Sequence, residues 1–327
     1  MGEATCSAPG KVILTGEHFV VYGARAIAGA IDLRAYATAS TRNDGVISIF
    51  SEDMGISAEW RGSDLLRESK RGVSERLRPL KEALSAVISK VEGSGLTVNI
   101  NSQIPRASGL GSSAAVAVSC VAAGLHAYGY RPSPPEIINF ASIAEGIIHY
   151  RASGVDLAVS TYGGVISYRR GSKPTKIEIK KPISLLLIDV GTPRRTGDMV
   201  RHVSLLREQY ISVFEKIRET VEEITSECEL ALINNRYERL GDLLMINHNL
   251  LRAIGVSTKE LDNALELAIR SGAIGGKLTG GGGGGCVIAV VHEKEIDAVY
   301  RKLLRTYSVY KVTIPQDGVR CDSYKPE

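Results

Sequence analysis

Pro105-Arg-Ala-Ser-Gly-Leu-Gly-Ser-Ser-Ala-Ala115 lies between two stretches of different periodicity. Before it, Leu96-Thr-Val-Asn-Ile-Asn101 alternates apolar and polar residues as a half-buried strand does; after it, Ser113 to about Leu125 is small and helix-compatible. A glycine-rich turn therefore opens onto a helix N-terminus, where free N–H groups carry partial positive charge. Gly109 and Gly111 let backbone approach an anion with no side chain in the way, so the segment reads as a phosphate cradle. Ser112 and Ser113 add hydroxyls suited to capping the helix, holding a phosphate oxygen or reaching a magnesium ion. Neither the P-loop G-x-x-x-x-G-K-[ST] nor the glycine-loop, H-R-D and D-F-G set of protein kinases is present.

Working outward, Ala8-Pro-Gly-Lys-Val-Ile-Leu-Thr-Gly-Glu-His-Phe-Val-Val-Tyr-Gly23 brackets an apolar strand of Val12, Ile13 and Leu14 with Gly10 and Gly16. Lys11 enters that strand and Glu17-His18 leaves it, an arrangement that can hold a cation, an acid and an imidazole around one pocket. Taken singly, Lys11 reads as a solvated lysine and His18 as a hydrogen-bonded turn residue.

Towards the other end, Gly275-Gly-Lys-Leu-Thr-Gly-Gly-Gly-Gly-Gly-Gly-Cys-Val-Ile-Ala-Val-Val291 places six consecutive glycines before an apolar strand. Ordering them costs more backbone entropy than ordering any other residue, so strand patterns on both sides argue for close backbone packing rather than a linker. The run satisfies G-x-G-x-x-G trivially, without the strand, helix and distal acid of a dinucleotide unit.

In order and spacing, the three segments resemble the motifs of the GHMP kinases over nearly the whole chain. With Ser153-Gly-Val-Asp-Leu-Ala-Val-Ser-Thr-Tyr-Gly-Gly164 added, they look most like the mevalonate kinase family within that superfamily. The resemblance implies an α+β fold, with an N-terminal α/β domain like that of ribosomal protein S5 and a ferredoxin-like C-terminal domain; the change of pattern near Lys181-Pro182 divides them into residues 1–181 and 182–327. It implies ATP-dependent phosphorylation of (R)-mevalonate at its C5 hydroxyl, in isoprenoid precursor biosynthesis.

The resemblance also distributes roles. Asp156 is the expected catalytic residue, accepting or orienting the hydroxyl proton, and Lys11 stands beside it to neutralise the transferring phosphoryl group. Pro105, Ser108, Gly109, Leu110, Gly111, Ser112, Ser113 and Ala114 form the expected ATP site. Ser113 and Glu145 are the expected magnesium ligands, although Glu145 by itself reads as the solvated face of an amphipathic helix. Glu17, His18, Arg195, Thr196, Gly280 and Gly281 are assigned to the substrate, with Arg195, or equally Arg194, pairing its carboxylate.

Two departures bear on substrate choice. His149-Tyr-Arg-Ala-Ser-Gly154 stands where the family has His-Gly-Asn-Pro-Ser-Gly, and Gly281 where many members have alanine or serine. The first keeps phosphomevalonate and homoserine-like alcohols open as alternatives. A diphosphomevalonate decarboxylase shares the fold, but Gly16-Glu-His18 and Glu145 favour a plain kinase. A non-catalytic ligand sensor is opposed by the presence of both Lys11 and Asp156.

Composition fits an enzyme with a large core: 327 residues, 44% hydrophobic, with a net charge of only +4. Basic residues are dispersed among acids, which gives nucleic-acid or membrane binding little support. The five cysteines are scattered and odd in number, without a C-x-x-C pair, so reduced thiols in a cytoplasmic protein are expected. They form no zinc pattern with the six histidines. Family members are often dimers, which makes a homodimer a further expectation.

Periodicity predicts strands near 25–41, 45–51, 96–104 and 164–169, and helices near 75–92, 113–127 and 134–149. Long amphipathic stretches follow over 197–254. Beyond them the pattern gives a helix near 258–271, a glycine hairpin, a strand at 286–291, a helix near 294–305 and a strand at 307–314.

Overall fold

Ten successive residues of the first strand, Cys6 to Thr15, are buried, which a strand achieves only when both faces of its sheet are covered. In the computed structural model, which describes residues 2–106, 108–148, 153–192, 196–322 and 325–326, this strand is β1 (Gly2–Thr15). It continues through β2 (Ala26–Arg42), β3 (Val46–Ser51), β4 (Ile56–Arg61), β5 (Asp64–Glu68), α1 (Val73–Lys90), β6 (Gly95–Ser102), α2 (Ser112–Ala127) and α3 (Pro134–Ile148). Then come α4 (Val155–Tyr162), β7 (Val165–Tyr168), β8 (Thr175–Ile177) and β9 (Ile183–Asp189). Helices α5 (Thr196–Gln209), α6 (Ile211–Ile233), α7 (Tyr237–Ala253) and α8 (Lys259–Ser271) lead into β10 (Gly275–Thr279), β11 (Cys286–Val290), α9 (Ile296–Leu303) and β12 (Ser308–Ile314). Two short strands, β13 (Arg320–Cys321) and β14 (Lys325–Pro326), close the chain.

The first sheet runs β13-β1-β2-β6-β3-β4-β5, with β14 added on β1 and β7 and β8 beside β2. Among the described residues only β3 and β6 pair in parallel. Helix α2 packs on β1 and β2. It buries Ala114, Ala115, Ala117, Ala122, Ala123 and Gly124 among others, and these small residues let helix and sheet approach closely. The second sheet, β10-β11-β9-β12, is antiparallel throughout. Taken in chain order its strands stand second, third, first, fourth across the sheet, which is the ferredoxin-like arrangement. The fold is thus the α+β class expected.

Several elements were not anticipated. The hairpin β4–β5 and the short helix α4 add to the first sheet and its cover, and the amphipathic stretch over 197–254 divides into three helices. The end of the chain returns to its beginning: β13 and β14 pair antiparallel with β1. That return corrects the expectation of reduced thiols throughout. Cys6 and Cys321 face each other across β1 and β13 and are joined in a disulfide, while Cys120, Cys228 and Cys286 are buried in the core. The pairing depends on bringing the two chain ends together, which spacing along the sequence does not reveal. Among the described residues no helix is long and apolar enough to cross a membrane.

Candidate functional site

The loop after β6 is built as a turn into a helix. Gly109 (φ 92°) and Gly111 (φ 75°) both occupy the left-handed region, and Gly111 is the residue immediately before α2. A Cβ on Gly111 would lie 2.9 Å from Cγ of Lys11, so glycine is required by conformation and by space alike. The Lys11 amide donates to the Leu110 carbonyl at 2.8 Å, joining the loop to β1. Ser108 is buried, and its hydroxyl donates to the Pro105 carbonyl at 2.6 Å, bracing the loop from within. Among the described residues no side chain caps α2, and Ser113 is exposed in its first turn, so the first amides of the helix have no side-chain acceptor. Leu110 and Ala114, by contrast, turn into the core.

Lys11 is only 1% exposed, the reverse of a solvated surface lysine. Its Nζ lies 3.1 Å from Oδ1 of Asp156. Asp156 stands in the first turn of α4, behind Gly154 (φ 83°), where the helix dipole favours a carboxylate. Tyr168 donates its hydroxyl to the Ser153 carbonyl at 3.0 Å and leaves no room for a Cβ on Gly154 (2.6 Å), fixing the approach to that helix. Glu145, on α3, has its pKa pushed up to about 7, first by burial and then by the charge of Asp156, with Lys11 pulling the other way.

The first and third motifs are locked together. Glu17 was expected to reach substrate hydroxyls; the structure instead pairs its Oε1 with Lys277 Nζ, and both side chains are fully buried. Lys277 also donates to the Leu278 carbonyl at 2.6 Å. Oε2 of Glu17 is buried without a hydrogen-bond partner among the described residues. The His18 ring meets the Gly281 carbonyl at 2.9 Å. Thr279 Oγ1 accepts from the Ile13 amide at 2.9 Å and donates to the Ile13 carbonyl at 3.2 Å. Five of the six consecutive glycines take positive φ; Gly281 is the exception, so its backbone does not by itself demand glycine.

These pieces enclose a cleft of about 1020 Å³. Lys11, Glu17, His18, Pro105, Ser108, Gly109, Gly111, Ser112, Ser113, Glu145, Asp156, Thr196, Gly280 and Gly281 all line it. Arg194 and Arg195, together with His149, Tyr150 and Arg151, lie outside the described residues. Sequence reasoning missed the apolar end of the cleft, made by Met54, Leu77, Leu80, Ile100 and Val116, and the charged residues Asp53, Arg76, Arg106 and Arg201 on its walls. It also passed over Lys277, whose signal was a lone lysine in an otherwise uncharged strand beside the glycine run.

The donors fit a hard divalent cation. Two carboxylates, Glu145 and Asp156, act on one another with Lys11 nearby, and the Ser113 hydroxyl lines the same cleft, an all-oxygen set of candidate donors. The other grouping found among the described His, Cys, Asp and Glu residues is Cys6, His126 and Cys321, where both sulfurs are already joined to each other.

Residues 78–164 match the family of GHMP kinases N terminal domain, and residues 191–309 that of GHMP kinases C terminal. A mevalonate kinase of Thermococcus gammatolerans is 35% identical over 98% of each chain. Among solved structures, the Methanococcus jannaschii mevalonate kinase superposes with a TM-score of 0.82 at 27% identity, covering 95% of this chain and 98% of its own. The L. major mevalonate kinase in complex with R-mevalonate gives 0.79 at 27% identity, over 95% and 96%.

Proposed function

This chain belongs to the mevalonate kinase family of the GHMP kinases, and from that premise we propose that it transfers the γ-phosphoryl group of ATP to the C5 hydroxyl of (R)-mevalonate, giving 5-phosphomevalonate and ADP. The observation that carries this reading is the contact of Lys11 with Asp156, at 3.1 Å, beside the glycine turn that opens α2.

ATP lies with its base against the apolar residues Met54, Leu77 and Leu80 and its phosphates against the first-turn amides of α2. The acceptor approaches from the side of His18, Thr196, Gly280 and Gly281, with Arg195 the proposed partner of its carboxylate. Asp156 accepts a hydrogen bond from the C5 hydroxyl and orients or takes its proton as that oxygen bonds to phosphorus and the bond to the ADP oxygen breaks. A loose transition state needs little help from a base, so alignment and neutralisation by Lys11 carry most of the rate. Ser113 and Glu145 would hold magnesium, which supplies charge neutralisation on the phosphates.

The division at 181/182 and a homodimer remain parts of the proposal, the latter checked by sedimentation. A cytoplasmic location rests on the use of ATP, since the Cys6–Cys321 disulfide removes the support of the cysteine pattern; cell fractionation checks it. The enzymatic test is coupled ADP release with magnesium-ATP and mevalonate, phosphomevalonate, diphosphomevalonate, homoserine or galactose. Turnover with mevalonate alone is expected; turnover restricted to a phosphorylated acceptor would reassign the substrate to the change at Tyr150 and Arg151.

A further inference from the structure

Strand β10 is an edge of the second sheet, so amides on its outer side must find partners elsewhere. The Leu278 amide finds one in a side chain: it donates to Nδ1 of His248, on α7, at 3.3 Å. His248 is 3% exposed, and its Nε2 meets Oδ1 of Asp262 at 3.1 Å. Asp262 is itself fixed by the Ser257 hydroxyl at 2.6 Å and by Nε of Arg252 at 2.9 Å. An amide can only donate, so Nδ1 is the acceptor and Nε2 carries the proton; the neutral tautomer is set from both sides. The next residue back along β10 is Lys277, which holds Glu17, and three residues further on is Gly281, which takes His18.

We propose that His248 is a positioning residue for the kinase reaction: by holding the Leu278 amide against a fixed Asp262, it sets the place of β10 and so the point at which Lys277 meets Glu17 at the acceptor end of the cleft. His248 touches neither substrate in this arrangement. Its effect passes through one backbone amide to the buried Lys277–Glu17 pair. The activity readout rests on the function proposed above, whereas the strand itself is read independently of any substrate.

His248→Gln offers an acceptor and a donor in place of the two ring nitrogens; His248→Leu offers neither, leaving the Leu278 amide without its acceptor and Asp262 with only Ser257 and Arg252. Amide exchange of Leu278, by NMR or on a peptide spanning 275–279, is expected to speed at least tenfold in His248→Leu and to stay within about threefold of wild type in His248→Gln. In steady-state assays well below each variant's unfolding temperature, His248→Leu is expected to lose about tenfold or more in kcat/KM for the acceptor, with KM for ATP within twofold and with recovery in His248→Gln. If the leucine variant does not fold, His248→Asn, too short to span both partners, is measured in its place with the same expectation. Unchanged Leu278 exchange overturns the proposal whatever the substrate proves to be. Faster exchange with unchanged acceptor kinetics, equal losses in the glutamine and leucine variants, or equal losses for ATP and acceptor, overturn it as well. Should wild type fail to phosphorylate mevalonate, the function falls separately, and Leu278 exchange still decides whether His248 holds the strand.

Discussion

Lys11 and Asp156 meet at 3.1 Å from the middle of a doubly buried strand and the first turn of a short helix. The ammonium is buried and needs a counter-charge, and the carboxylate, 30% exposed, still faces the cleft. Each requirement explains the other: Asp156 makes a buried Lys11 tolerable, and Lys11 holds Asp156 at the wall of the cleft, where the proposed acceptor alcohol would sit.

Asp156→Asn keeps the volume and removes the charge. Phosphoryl transfer should fall by about 10²–10⁴-fold while ATP affinity, measured by calorimetry, stays near wild type. Near-normal turnover in this variant would remove Asp156 from the chemistry.

Much of the fold could be read because its strands and helices obey their own periods. β6 alternates in burial along most of its length and β2 does so in its second half, and α8 carries a clear apolar stripe. What escaped lacked such a pattern. β5 is almost wholly exposed, with Leu65 and Leu66 side by side, and α4 buries six of its eight residues, leaving no polar face. In the site, glycine spacing marked the turn that opens α2 and the third motif. Lys277 was hidden because all five residues of β10 are buried, so nothing in the alternation marks where a charge points. The disulfide was hidden because pairing of the chain ends is a property of topology.

The glycine run offers a contrast between neighbours. Gly282 takes φ 70°, and a Cβ there would stand 2.2 Å from the Val256 carbonyl; Gly281 has no positive φ. Gly282→Ala should cost about 2 kcal/mol or more, from the left-handed backbone and the displaced carbonyl together, and Gly281→Ala less than about 1 kcal/mol. Urea unfolding of the pair checks this, and equal stabilities would show the run to be more pliable than its geometry implies.

His248 makes stability depend on pH. Burial, aided by Lys277, holds its pKa down to about 4 against an ordinary 6.5. Between those values the unfolded chain binds the extra proton, so the contribution is fully present above pH 6.5 and is lost as pH falls towards 4, up to about 3 kcal/mol. Unfolding free energies measured across that window should rise with pH in wild type and rise less steeply in His248→Gln. Parallel curves would mean that His248 titrates alike in both states.

The Cys6–Cys321 bond closes a loop spanning almost the whole chain, with a sequence separation of 315. In the chain-entropy picture such a loop stabilises the fold by at most about 6 kcal/mol. Cys6→Ser, or wild type under a strong reductant, should therefore unfold at lower temperature in calorimetry. An unshifted transition would mean that β13 and β14 stay docked without the bond.

Phosphorus NMR of the product formed from magnesium-ATP and (R)-mevalonate tests phosphorylation at C5 directly. The expected result is one new phosphomonoester per ADP, its signal split by the two hydrogens of the C5 methylene. Release of inorganic phosphate alone, or a phosphoryl group on any other oxygen, would contradict the assignment of this cleft to C5 phosphorylation.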